Sequence, residues 1–286
     1  MSRPFYNNRY FLYFSFKPIN PLTKRAFRCI IYLLMKGLGC MDITKSEFTS
    51  LITRCFSDNG ISSYLSASVV DSFYRLTERM LTENEKYNLT AITEPKRIVL
   101  CHYADCVMLA SRLKKNASII DVGCGAGFPT LPLAIVRPDL KITALDSTAK
   151  RVQYVKDTAE MLGLTNVSTV TARAEDQARL AGYRESFDYA TARAVAEMRV
   201  LTELTLPFVG IGGKLIVLKG RSARGELMAA KRAIAMLGGK NASIEEVELL
   251  GEDGEIQMHP EITVDKVTKT PDNYPRAYAQ ISKKPL

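Results

Sequence analysis

The sequence predicts an α/β protein: a doubly wound, mostly parallel sheet with a helical N-terminal extension. Three observations carry this. Five short apolar segments (117–122, 141–146, 167–171, 187–192 and 213–219) alternate with stretches of helical periodicity, which is the pattern of parallel strands joined by right-handed crossovers. The first of these strands runs into a glycine turn, Asp121-Val122-Gly123-Cys124-Gly125-Ala126-Gly127-Phe128-Pro129, and an apolar helical run follows it. The 286 residues, 47% hydrophobic and 24% charged, also suffice for a buried core.

Residues 1–40 stand apart. They hold seven basic residues, many aromatic rings and no acid. Without them the chain keeps 32 basic and 30 acidic residues, so the net charge of +9 belongs mostly to this leader. The total charge is therefore weak evidence for nucleic-acid binding, which must come from local clusters. The apolar run from Cys29 to Met35 is far shorter than the ~20 residues of a membrane span. A signal or transit peptide fits such a stretch, but the preferred reading is that Met41 is the true start and 1–40 an over-long assignment.

From Met41 the pattern is helical. Phe48, Leu51, Ile52 and Cys55 share one helix face, and Val69, Val70, Phe73, Leu76 and Met80 share another that continues to Tyr87. Asn88-Leu89-Thr90 is a polar break, where Asn88 caps a helix or contacts a ligand. Thr93-Glu94-Pro95 reads as the next helix start, with Thr93 as N-cap and Pro95 at an early position. That helix is expected to reach Leu113 and to carry Ile98, His102, Asp105 and Leu109. Residues 41–115 thus form a helical segment with too little apolar surface for its own core, packing on a domain of residues 116–286. Within that domain, Val152, Val155, Ala159 and Leu162 mark the apolar face of a helix over 148–162. After Leu237 two further strands are expected, 243–250 and 261–267, before Tyr274-Pro275-Arg276.

Six cysteines without a CxxC pair and only two histidines argue against a structural zinc site. Scattered thiols fit a reducing, cytoplasmic setting.

The glycines follow GxGxG spacing, and Phe128 stands where a dinucleotide fingerprint needs its third glycine. A phosphate-free ligand, the sulfonium nucleoside S-adenosylmethionine, suits this turn better. Asp146, ending its strand at the expected distance of about 20 residues, then holds ribose hydroxyls. The expected sheet is accordingly of the class I S-adenosylmethionine-dependent methyltransferase type, Rossmann-like, with ligands at the carboxyl ends of the strands. Gly123, Cys124, Gly125 and Gly127 shape the turn, with Cys124 as a small filler. Asp121 orients the methionine amine or caps loop amides, and Phe128 walls the cofactor or packs in the core. Ala174 and Glu175 lie where adenine is expected, though Glu175 also reads as a solvated glutamate. Arg193, Lys219 and Arg221 are the substrate-positioning candidates, the lysine and arginine of the last pair forming a phosphate patch with Lys214 and Arg224, or merely a solvated loop. His102 and Asp105 share a helix face and are read as structural or site-lining. His259 is read as a solvated loop residue.

In combination and order, these residues resemble the RsmG (GidB) family. The resemblance covers about 41–286 and includes Asn88-Leu89-Thr90, His102 with Asp105, the glycine turn with Phe128-Pro129, and Asp146-Ser147 with Lys150-Arg151. It continues through Arg173-Ala174-Glu175, Arg193-Ala194, Leu218-Lys219-Gly220, Tyr274-Pro275-Arg276 and Lys284-Pro285-Leu286. It implies transfer of a methyl group from S-adenosylmethionine to guanine N7 in small-subunit (16S) rRNA, with Gly123, Phe128, Ala174, Glu175 and Arg193 at the cofactor site and Asp146 and Ser147 close by. Two departures stand out: Thr130 replaces the family's usual glycine after Phe-Pro, and Arg276-Ala277-Tyr278-Ala279 replaces a glycine-containing turn.

Guanine N7 carries a lone pair and no proton, so no general base is expected. The expected partner is 16S rRNA or the small ribosomal subunit, with no metal, no membrane and a monomeric chain. The alternatives are a small-molecule methyltransferase on the same fold and a non-catalytic cofactor-binding RNA module. A nicotinamide dehydrogenase ranks last because of Phe128.

Overall fold

A computed structural model describes residues 41–286 apart from Asp42 and Glu252. The readings made for 1–40 lie outside the described residues.

Helix α1 (Lys45–Asp58) starts with a reciprocal cap: Thr44 accepts from the Glu47 amide, and the Glu47 carboxylate accepts from Thr44 N at 2.7 Å. It buries Phe48, Ile52 and Phe56, spaced four apart on one face. Helix α2 (Ala67–Tyr87) is capped by Ser66 and ends at Asn88, whose φ of 49° is tolerated by asparagine. Helix α3 (Pro95–Ile98) has proline in its first turn, and its N-cap is Glu94, not Thr93.

The single helix expected up to Leu113 is broken. After α3 come a π-helical turn (Val99–Ala104), helix α4 (Asp105–Met108) and a 3₁₀ turn (Leu109–Arg112). The wide turn is buried throughout, and its Cys101 carbonyl accepts from Arg193 at 2.9 Å. A tertiary contact thus accompanies the altered winding, as such turns often show at functional sites.

The sheet holds β1 (Ser118–Val122), β2 (Lys141–Asp146), β3 (Val167–Thr171), β4 (Phe187–Arg193), β5 (Val209–Leu218), β6 (Gly239–Leu250) and β7 (Ile256–Lys266). Their order is β3-β2-β1-β4-β5-β7-β6. The first five strands run parallel, and β7 lies antiparallel between β5 and β6. The expected doubly wound, mostly parallel sheet is present, and its order switches beside β1, which places a crevice at the carboxyl ends of β1 and β4.

Alternate side chains feed two cores. Ile119, Ile142, Ala144, Tyr189 and Ile216 face α1, α2, the π turn and the helices α5 (Thr130–Val136) and α6 (Ala149–Leu162). Ile120, Leu145, Ala190, Leu215 and Val217 face α8 (Met198–Thr205) and α9 (Ala223–Met236). Between β3 and β4 lies α7 (Ala174–Gln177), and α10 (Tyr278–Lys283) ends the chain.

Three strands start earlier than expected. β5 begins at Val209 and β6 at Gly239, each four residues early, and β7 begins at Ile256, five residues early. Pro260 lies inside β7, although proline cannot donate to a ladder. Here it sits where the β5 ladder ends: Leu218 pairs with Glu261, and the Pro260 carbonyl accepts from Lys219 N.

Candidate active site

The glycine turn is fastened to β2. The amides of Gly123 and Cys124 both donate to the Leu145 carbonyl, at 2.7 and 3.0 Å, and Gly125 N donates to Asp146 Oδ2 at 3.1 Å. Gly125 has φ of 52°, and a Cβ there would meet only the Gly123 carbonyl, at 3.9 Å. Gly127 is glycine for packing as well as for its φ of 85°: a Cβ would lie 2.5 Å from Leu131 Cδ1. Burial holds the Cys124 thiol well above its usual range, consistent with a small filler and not a nucleophile.

Asp121 lines neither compartment of the crevice. Its Oδ2 accepts from the Thr130 hydroxyl at 2.6 Å, its Oδ1 has no hydrogen-bond partner among the described residues, and burial pushes its carboxyl up to about 6. Thr130, in place of glycine, therefore ties the end of β1 to the start of α5.

The crevice has two compartments that share Gly123, Arg151 and Ala194. The first, about 310 Å³, lies at the ends of β2 and β3 and is lined by Asp146, Ser147, Ala174, Glu175, Val195 and Tyr278. Asp146 accepts from Thr148 N and Gly125 N, which leaves lone pairs for a ligand hydroxyl. Glu175 is only 6% exposed, yet no hydrogen bond reaches its carboxylate among the described residues; Arg173 stands 3.9 Å away. A buried acceptor without a donor suits a ligand that brings hydroxyl or amino groups. Tyr278, contributed by the departing tail, carries the Arg173 guanidinium 5.7 Å above its ring.

The second compartment, about 590 Å³, is walled by Phe128, His102, Arg193, Thr90 and Lys219. The His102 ring stacks on Phe128 with centroids 4.5 Å apart, and the Arg193 guanidinium lies 5.1 Å from the Phe128 centroid. Arg193 also donates to Asp105 Oδ2 at 3.3 Å and faces His102 Nδ1 at 3.1 Å. Burial, then the Arg193 charge, hold the His102 pKa down at about 3, so the imidazole is neutral at physiological pH.

His259 is not a solvated loop residue. It sits on β7 with its Nδ1 2.9 Å from Asp105 Oδ1. The hairpin of β6 and β7 brings it there, a long-range placement that the sequence had no local means of signalling. Lys219 reaches the compartment but is largely spoken for: its ammonium donates to the Ala196 carbonyl and pairs with Glu226 at 2.7 Å. Arg221 is exposed and lines neither compartment. The expected phosphate patch with Lys214 and Arg224 does not form. Lys214 lies in the middle of β5, paired with Asp265, and Arg224 pairs with Glu246. Among the described residues, no group of three His, Cys, Asp or Glu side chains is arranged to hold a metal, and no helix is long and apolar enough to cross a membrane.

Comparison with known proteins decides the family. Residues 70–252 match the model of GidB, described as rRNA small subunit methyltransferase G. The chain belongs to this family. A ribosomal RNA small subunit methyltransferase G of Leuconostoc mesenteroides is 48% identical over 239 residues, covering 82% of this chain and 97% of that protein. One of Clostridium perfringens strain 13 is 47% identical over 216 residues, covering 74% of this chain and 89% of its own. An S-adenosylmethionine-dependent O-methyltransferase of Thermotoga maritima aligns with TM-score 0.47 at 16% identity, over 68% of this chain and 72% of that one. The GidB match spans the glycine turn, Glu175, Arg193 and Lys219, and stops before Tyr278. Tyr278 and Thr90, both lining the crevice, were not singled out as site residues from the sequence.

Proposed function

We propose that this methyltransferase moves a methyl group from S-adenosylmethionine to N7 of a guanine in small-subunit (16S) rRNA. One observation carries the reading: a compartment with unmet acceptors adjoins, at the glycine turn, a second one walled by flat and cationic side chains, whose titratable groups His102, Asp105 and His259 are tied to Arg193 and to one another. S-adenosylmethionine, when bound, supplies an electrophilic methyl group on sulfur. Asp146, Ser147, Ala174 and Glu175 would hold its nucleoside, and Gly123, Cys124, Gly125 and Phe128 its amino-acid end; Asp121 and Gly127 act by shaping the turn.

Guanine N7 donates its lone pair to the methyl carbon and loses no proton. The chain therefore has to place and desolvate the base, not deprotonate it. Arg193 sets the wall through its contacts with Cys101, Asp105 and His102, and Lys219 positions the neighbouring loop. His102, neutral and with Nδ1 facing Arg193, is no proton acceptor. Exposed Arg97 and Arg151 line the second compartment and suit RNA phosphates, which makes binding salt-dependent. The base must leave its stack to enter. We further infer a cytoplasmic monomer in which 41–115 supports the domain formed by 116–286.

The test is labelled methyl transfer to small subunits purified from cells that lack this gene, followed by mapping of the modified base. Label at N7 of one guanine is the expected result. Turnover of free guanosine at the same efficiency, or label on another atom, would overturn the reading.

A further inference from the structure

Thr90 lies in the polar break between α2 and α3 and faces the second compartment. The Asn84 side chain grips its backbone on both sides: Thr90 N donates to Oδ1 at 2.8 Å, and its carbonyl accepts from Nδ2 at 3.0 Å. The hydroxyl oxygen accepts from Ile92 N at 3.0 Å. Its other neighbour is His102 Nε2, at 2.9 Å.

The imidazole proton is located by geometry. Arg193 Nη2 faces His102 Nδ1 at 3.1 Å, and a guanidinium can only donate. Nδ1 therefore accepts, Nε2 carries the proton, and Nε2–H donates to Thr90. Both acceptor positions of the hydroxyl are then filled. Its own proton has no acceptor among the described residues, and the direction left to it is the crevice.

We propose that the Thr90 hydroxyl is the donor that reads O6 of the target guanine and excludes adenine from the methyl-accepting position. The inference rests on the function proposed above. N7 is common to both purines, so it cannot distinguish them. Beside N7, guanine presents the acceptor O6, whereas adenine presents an amino donor. A hydroxyl whose lone pairs are both engaged cannot accept from that amino group, so adenine would leave two donors face to face. The polar break, the neutral histidine and the Arg193 contact together fix the polarity of one hydroxyl.

The test pairs enzyme variants with substrate bases. Thr90→Val removes the hydroxyl and keeps its shape; Thr90→Ser keeps the hydroxyl. Each is assayed on small subunits carrying guanine or 2-aminopurine, which lacks O6, at the target nucleotide. The wild-type enzyme should lose roughly 3- to 10-fold in kcat/KM on 2-aminopurine, the range of one neutral hydrogen bond. Thr90→Val should lose a similar factor on guanine and little more on 2-aminopurine, with Thr90→Ser close to wild type. A merely structural threonine predicts equal losses on both bases, and that result, or a fully active Thr90→Val, would overturn this inference alone. No wild-type turnover on guanine subunits would overturn the proposed function and this inference with it.

Discussion

His102 shows how one residue ties stability to pH. Folded, it is held at about 3; an unfolded histidine titrates near 6.5. Between those values the unfolded chain binds a proton that the folded chain refuses. Stability from this group is therefore complete above pH 6.5 and is lost as the pH falls below it. By pH 5 the loss amounts to about 2 kcal/mol, at ~1.4 kcal/mol per pH unit. Urea unfolding of the wild type and His102→Asn at pH 7 and pH 5 checks this: the wild type should lose that much more than the variant, and parallel losses would count against a buried neutral imidazole. Arg193 is the second residue with a clear forecast. Arg193→Ala leaves Asp105 with His259 alone and should cost about 3–5 kcal/mol, the usual penalty for halving a buried pair. Methyl transfer should collapse in whatever fraction stays folded. A variant with full activity would remove Arg193 from the site.

At the scale of elements, the turn after β1 carries the sharpest forecast. Gly125→Val forces a β-branched residue to a φ of 52° and projects it into the crevice. Cofactor affinity should fall at least ~100-fold, by about 2.7 kcal/mol, while the circular dichroism of the fold persists; unchanged affinity in calorimetry would sink the assignment of the turn. The same scale shows what the sequence could reveal. β1, β2, β3 and β4 were legible because buried parallel strands read as apolar runs and because the glycine turn and Asp146 mark their carboxyl ends. The π turn was not, since Val99-Leu100-Cys101-His102 looks the same wound either way. β7 was expected over 261–267, and only its first five residues were missed; Pro260 among them is tolerated because its missing amide costs nothing once the β5 ladder has ended. Thr93 lost the N-cap to Glu94 by a single residue, the common scale of such errors. The contacts of Asp105 with Arg193 and His259 span 88 and 154 positions, and no local pattern signals pairings at that range.

For the whole molecule, a filled crevice should tighten the fold. A ligand at about 100 times its Kd adds about 2.7 kcal/mol, which for a domain of this size raises Tm by roughly 5–10 °C. S-adenosylhomocysteine should produce that shift in a thermal melt and a nicotinamide dinucleotide should not; the reverse ranking would return the Phe128 argument to doubt. The buried Lys266 holds another long-range tie. Its ammonium donates to the Leu206 and Leu237 carbonyls and pairs with Glu185 at 3.3 Å, although burial pulls its pKa down to about 8. Finally, β7 slots between two strands made before it and delivers His259 to a carboxylate made far earlier. Translation runs from the amino end, so a growing chain exposes β5 as a raw edge and leaves Asp105 half-partnered until β7 has emerged. Donor capture is expected to wait for this strand: ribosome-stalled chains ending before Ile256 should capture no labelled donor, and capture by them would show that the hairpin is dispensable.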